Sequence, residues 1–386
     1  MRTLLFTALA AASFTALATQ PLLPAGGNDQ VPSRVVSLAV PPGEFERAPV
    51  SFSWALDPAA ALSTPAPHLA ESREYWQTVD AAELQRGVDI DLSAPGALIR
   101  VSPGRGARTL TANDLQLAGK GRPARLEKTA SDAELRAAGM DVEAGTAMVR
   151  VGRENARGRY QLRIPQARGR YVVHVFEPDS PVVLKARADR NHAVVGETVT
   201  VDIALSDAGS PIVATAEALL VAPDGNSQPV AVSRGRDGRL SASMRLPALA
   251  ANTPGLWELQ VFASGDGLQR DARTAFAVAQ PTARFKGNHA FNSQLLRVAL
   301  PVEAGSPGRY EARGTLYASG PDRLLHPVSQ AHVAAWFEPG DGMLVLDFDR
   351  QHLPTGYGAP FEVRQLELHD QTRMAPLEIR GRGARF

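Results

Sequence analysis

Thr198-Val199-Thr200-Val201-Asp202-Ile203-Ala204-Leu205 settles the local structure of the middle of this chain. Its large apolar residues, Val199, Val201, Ile203 and Leu205, fall at every second position, so an extended chain carries all four on one face. Wound as a helix, the same residues would scatter around the axis. Turn signals recur after it at Asp207-Ala208-Gly209, Pro223-Asp224-Gly225 and Asp237-Gly238. Between them lie strand-like runs at Glu217 to Ala222, Arg239 to Leu246, Trp257 to Ala263 and Arg273 to Val278. Short strands at this spacing make residues 182–279 an immunoglobulin-like β-sandwich. Trp257 reads as a plug for that core and not as a sugar platform.

The same grammar extends in both directions. On the N-terminal side, Glu177-Pro178-Asp179-Ser180-Pro181 marks a boundary, because two prolines interrupt strand pairing. The block before it, 35–177, alternates strand runs with turns. In Arg159-Tyr160-Gln161-Leu162-Arg163-Ile164 every second residue is apolar, which buries one face and leaves arginine in water. This block also has two short helices, started by Asp80 with Glu83 and by Ser131 with Glu134, and ended at Gly87 and Gly139. Beyond Gln280-Pro281, residues 282–386 supply six more strand candidates. The expected fold class is therefore all-β, three tandem sandwich-like domains, the first with some α+β character.

Residues 1–18 read as a secretory signal peptide. Arg2 gives a positive start, Leu4 to Leu17 an apolar run, and Ala16-Leu17-Ala18 a small-x-small cleavage pattern. That run is short for a membrane span, and no stretch of about 18 apolar residues follows it. The expectation is a periplasmic or secreted protein without a transmembrane segment. Residues 19–34, rich in Pro, Gly and Gln, read as a flexible leader.

Composition narrows the function. The chain carries 41 basic and 40 acidic residues, and removing Arg2 leaves the two signs equal. Such a balance offers no global attraction to nucleic acid. Cysteine is absent, which removes thiol catalysis, zinc–thiolate sites and lipid attachment at a cysteine. Only four of the basic residues are lysine, a bias that, with the abundant alanine, suggests a GC-rich bacterial genome.

Common catalytic signatures fail one by one. There is no Gly-x-Ser-x-Gly elbow, no His-Glu-x-x-His pair among the eight histidines, and no phosphate loop or dinucleotide fingerprint. No catalytic or cofactor-binding residue is expected. Asp89 with Asp91, and Asp347 with Asp349, sit two apart on strand candidates, so each pair shares a face and offers oxygen ligands to calcium. The plainer reading of both is a solvated edge or, at Asp349, a turn. Arg150, Arg153, Arg157, Arg159, Arg163, Arg168 and Arg170 fall in one stretch broken by a single acid, Glu154. Gathered on one sheet face they would grip phosphate or carboxylate groups; left apart they are an ordinary solvated surface.

The segments Tyr75-Trp76 … Val79 … Leu84 … Gly87 and Ala94-Pro95-Gly96-Ala97-Leu98-Ile99-Arg100-Val101-Ser102-Pro103 resemble the N-terminal domain of a secreted bacterial family, the domain of unknown function 4785. Phe361-Glu362-Val363-Arg364-Gln365-Leu366-Glu367-Leu368 … Asp370-Gln371-Thr372-Arg373-Met374 resembles the C-terminal domain of that family. Gly196-Glu197-Thr198-Val199 … Ala222-Pro223-Asp224-Gly225 … Gly255-Leu256-Trp257-Glu258-Leu259 is similar to exported immunoglobulin-like modules. The resemblance implies three β domains and transfers no catalytic residue. The leading expectation is an exported, non-catalytic protein that binds a macromolecule, whether a protein or an anionic surface glycan. Its rivals are a hydrolase with its site in residues 35–177, where His68 would be a candidate, an accessory or inhibitory subunit of an exported protease, and a structural spacer.

Overall fold

The computed structural model describes residues 19–63, 65–247 and 255–386. The signal-peptide reading and its cleavage site at Ala18 lie outside the described residues. Strand accounts for 55% of the chain and helix for 5%, which makes the protein all-β. Among the described residues no helix is long and apolar enough to cross a membrane. The described residues divide into two compact units, one drawn from 65–192, 196–247 and 255–278 and the other from 19–63, 193–195 and 279–386.

The first unit contains two sandwiches. In the N-terminal one, a sheet of Glu74–Asp80, Arg170–Phe176, Leu98–Pro103, Ala147–Val151 and Leu126–Ser131 faces a sheet of Val88–Leu92, Gly158–Arg163, Gln116–Gly119 and Arg122–Pro123. All neighbouring strands are antiparallel, and the inward residues Ile99, Val101, Leu162, Ile164 and Val173 are fully buried. Both expected helices are present, at Ala81–Arg86 and Asp132–Ala137, each opened by a reciprocal capping box. Each box satisfies backbone donors that the first turn leaves free. In the immunoglobulin-like sandwich, the alternation read in the sequence is realised. Val199, Val201, Ile203 and Leu205 all point inward, and Trp257 is buried opposite Phe276.

Glu177–Pro181, read as a domain boundary, carries a buried network of hydrogen bonds. Glu177, Ser180 and Arg270 are all buried. Arg270 Nη2 lies 2.5 Å from Glu177 Oε2, 2.7 Å from Ser93 Oγ and 2.9 Å from Ser180 Oγ. Arg270 Nε donates to the Val182 carbonyl at 3.1 Å, and Glu177 Oε1 accepts the backbone N–H groups of Ser93 and Ala94. Two charges stripped of water survive only with their remaining hydrogen-bond capacity satisfied, and here neighbouring groups supply it. The prolines break strand pairing as expected, and the turn they create buries Glu177 and Ser180 while Asp179 stays exposed.

The second unit is a two-sheet sandwich. One sheet runs Val50–Ala55, Leu325–Phe337, Gly308–Ser319, Gly358–Asp370 and Ala375–Arg385. The other centres on Arg297–Ala304, flanked by Gly340–Asp347 on one side and by Asn288–Asn292 and Ala283–Phe285 on the other. Between them sit Leu300, Leu316, Val328, Leu344, Leu346, Phe348 and Leu366.

Residues 19–63 belong to this unit, which differs from the reading of 19–34 as a flexible leader and of residue 35 as the start of the N-terminal domain. Thr19–Pro21 pairs with Asn288–Ala290, and Gln30 forms a bridge with Ile379. The Gln30 side chain donates to the Leu377 carbonyl at 2.8 Å. Val50–Ala55 adds an edge strand against Ser329–Ala334. Residues 19–49 lack apolar periodicity and are held by hydrogen bonds such as those of Gln30, which composition does not report.

Candidate binding face

The arginine cluster does not assemble on one face. Arg150 and Arg170 lie on strands of one N-terminal sheet, while Arg159 and Arg163 lie on the sheet packed against it. With apolar neighbours turned inward on both sheets, these two pairs point to opposite sides of the sandwich. Arg153, Arg157 and Arg168 sit in exposed connections. Several members are also engaged. Arg153 pairs with Asp179 at 2.8 Å, and Arg163 Nε donates to the Gln85 carbonyl. Antiparallel register explains a further pairing, since Arg159 lies directly opposite Asp91. Its guanidinium reaches Asp91 at 2.9 Å and Asp89 at 3.5 Å. One sequence candidate thus neutralises another, and Asp89 and Asp91 face a cation of the chain itself.

Asp347 and Asp349 also part company. Asp347 Oδ2 accepts from Arg297 at 2.7 Å, whereas Asp349, at a positive φ of 47°, leaves the strand and accepts the Gln351 backbone N–H. Among the described residues, no three His, Asp or Glu side chains converge as a metal site would require. His68 is exposed, and its backbone N–H donates to Asn191 Oδ1.

Both units carry concave regions. In the first unit, a cleft of about 380 Å³ is lined by Trp76, Glu217, Phe262 and Asp271. Burial pushes the Asp271 carboxyl up to about 7, and the negative charge of Glu74 reinforces that rise. A carboxyl with this affinity for protons suits acid–base work. Here, however, Asp271 accepts the Trp76 backbone N–H at 2.7 Å. Glu74–Asp80 is an edge strand, so the carboxylate closes a main-chain donor that strand pairing leaves open. Arg273 covers the Trp76 ring at 4.6 Å, and Phe262 meets it edge-on.

In the second unit, Val50–Ala55 carries Val50, Phe52 and Trp54 on its outer face, with 42%, 52% and 39% of their surface in water. Alternation produces the row, but polarity is inverted relative to an ordinary edge, where charged residues discourage association. Register sets Phe52 opposite His332. The Phe52, Trp54 and His332 rings lie 5.1–5.9 Å apart and within 14–29° of parallel. Beneath them, His332 Nδ1 is 2.6 Å from Glu311 Oε1, and Gln371 donates to the same carboxylate. The hydrogen bond from His332 holds the Glu311 carboxyl below its ordinary range against the opposing effect of burial. Further across the sheet, Arg313 and His369 both donate to Glu367. Burial raises the Glu367 carboxyl, and these donors outweigh it. The rings therefore stand on a fixed polar lattice.

The same strand borders a cleft of about 610 Å³, whose walls include Phe52, Arg297, Asp347, Asp349, Arg350 and His352. Arg350 Nη1 donates to the carbonyls of Ser293 and Gln294, and His352 Nδ1 lies 3.2 Å from the Phe348 carbonyl. Only Asp347 and Asp349 of this group stood out in the sequence. Phe52 and Trp54 carried a readable signal, aromatic residues two apart, but nothing in that stretch identifies the partner of their strand.

Family models describe residues 41–177 as the DUF4785 N-terminal domain and 282–383 as the DUF4785 C-terminal domain. The crystal structure of a DUF4785 family protein from Legionella pneumophila subsp. pneumophila str. Philadelphia 1 is similar in fold, with a TM-score of 0.68 at 19% identity. That similarity covers 94% of this chain and 98% of the Legionella chain. Escherichia coli alpha-2-macroglobulin in its native conformation matches with a TM-score of 0.29 at 15% identity, covering 83% of this chain and 20% of its own. No protein of curated function matches in sequence.

Proposed function

This chain belongs to the DUF4785 family, and on that premise we propose that it is an exported, non-catalytic protein that binds a surface glycan through the Val50–Ala55 face. One observation carries the reading. Phe52 and Trp54 are held in water, nearly parallel, over a lattice of Glu311, His332, Arg313 and Glu367 that fixes the sheet beneath them. Exposed aromatic rings lower the stability margin and invite association, so a fold that keeps them ordered on an edge uses them for contact. Rings with polar groups alongside suit a sugar, which has an apolar C–H face and a polar rim. The export reading rests on residues 1–18. The non-catalytic reading rests on Asp271, whose carboxylate is committed to the Trp76 main chain.

A second reading draws on the outer edge of Val50–Ala55, which among the described residues pairs on one side only. An extended segment of an exported partner protein could add there as a further strand. The discriminating measurement is retention of residues 19–386 on immobilised envelope polysaccharides, wild type beside Trp54→Ala. The glycan reading expects at least a tenfold loss in the variant. Unchanged retention ends it, and retention by envelope proteins alone favours strand addition.

A further inference from the structure

We propose that the cleft beside Phe52 is a subsite for a neutral, pyranose-based glycan, an inference that rests on the glycan reading above and names its class. The argument is one of charge and hydrogen-bond complementarity. Two guanidinium groups, Arg297 and Arg350, and two carboxylates, Asp347 and Asp349, line the cleft, so their formal charges cancel. Arg297 is paired with Asp347 at 2.7 Å. Arg350 bonds through Nη1 to two main-chain carbonyls and has no carboxylate within ion-pair distance among the described residues. A polyanion gains nothing from a balanced field of this kind.

A polyol fits it better. Each sugar hydroxyl both donates and accepts, so neighbouring hydroxyls need donors and acceptors side by side. Arg297 and Arg350 keep N–H groups beyond those in the bonds named, and Asp349 accepts the Gln351 N–H through Oδ1 alone, leaving Oδ2 open. These groups are also pre-set. Asp349 is fixed by its turn and Arg350 by the carbonyls it holds, which reduces the ordering cost of binding. The volume of about 610 Å³ falls in the range of small-ligand sites, roughly 300–1,000 Å³. Phe52 faces both the aromatic row and the cleft, so a chain stacked on Phe52 and Trp54 would place an adjoining residue's hydroxyls among the arginines and aspartates. Salt follows as a discriminator, because stacking and neutral hydrogen bonds are weakly screened whereas binding to a polyanion is steeply salt-dependent.

The test uses residues 19–386 on columns of neutral polysaccharides (a β-glucan, a mannan, a galactan) and of anionic ones (alginate, polygalacturonate), each at low and high sodium chloride. The neutral class expects retention on at least one neutral polymer that changes less than twofold with salt. It also expects retention to fall at least fivefold in Arg350→Gln and in Asp349→Asn. Both variants change exposed side chains and their folding is checked by circular dichroism. Retention on anionic polymers alone, abolished by salt, overturns the neutral class and leaves the glycan reading standing. Retention on no polymer overturns both. Neutral retention unaltered in both variants removes the cleft from the site and leaves the aromatic row.

Discussion

Residues 65–278 hide an ion pair, and the unit containing residues 19–63 and 279–386 displays aromatic rings. Each reverses the usual arrangement of charge outside and apolar surface inside. In the first unit, Arg270 and Glu177 lie in the interior, bonded on nearly every polar atom. In the second, Phe52 and Trp54 stand on an edge strand, stacked on His332 with much of their surface in water. The buried pair has no access to a ligand, so its role is to fix how the strands around Ser93, Ser180 and Val182 meet. The exposed rings add little to the fold, so their role lies in what they touch. Position, more than residue type, separates architecture from recognition here.

The hardest way to break that contrast is Glu177→Gln. If the pair is structural, the change leaves Arg270 buried without a counter-charge and costs about 3–5 kcal/mol. Urea denaturation read by hydrogen exchange in Arg170–Phe176 measures it, and a loss under about 1 kcal/mol would deny the pair its role. Next comes pH. Asp271 titrates at about 7 in the folded chain against an ordinary 3.8. Between those values the folded state keeps a proton that the unfolded state has released, so stability falls as pH rises through that window, by about 4 kcal/mol in all. Asp271→Asn abolishes the slope, and the variant is then more stable than wild type at pH 8 and close to it at pH 4. The second unit leans the other way at His289, where burial lowers the affinity for a proton. Its contribution is lost as pH falls below the free value of 6.5, because the unfolded chain then binds a proton that the folded one refuses. A common pH slope in both units would contradict this. The smallest effect belongs to Phe52→Ala, with a cost below about 1 kcal/mol for so exposed a side chain. A larger cost in chemical denaturation would move Phe52 from the recognition side of the comparison to the structural one.

Much of the fold was legible because its causes are local. Alternation at Val199 to Leu205 and at Tyr160 to Ile164 depends only on the pleat, and the capping pairs at Asp80 and Ser131 act within one turn. The candidate sites were hidden because their causes are distant. Arg159 meets Asp91 through a strand register spanning 68 positions, and seven arginines close in sequence were dealt to two sheets and the exposed connections between strands. Glu177–Pro181 carries every mark of a linker, and only the partner from Arg270 makes it an interior turn. Val50–Ala55 alternates apolar with small residues, yet the strand it pairs with begins at Leu325.

That separation constrains the order of assembly. Thr19–Pro21 and Val50–Ala55 are edge strands of the two sheets of a sandwich whose other strands all begin after residue 282. A ribosome delivers these two early and withholds their partners until translation is nearly over. The nascent chain must therefore carry Phe52 and Trp54 unpaired past two sandwiches that can fold first, and a chain halted before residue 325 would leave that aromatic segment permanently without a seat.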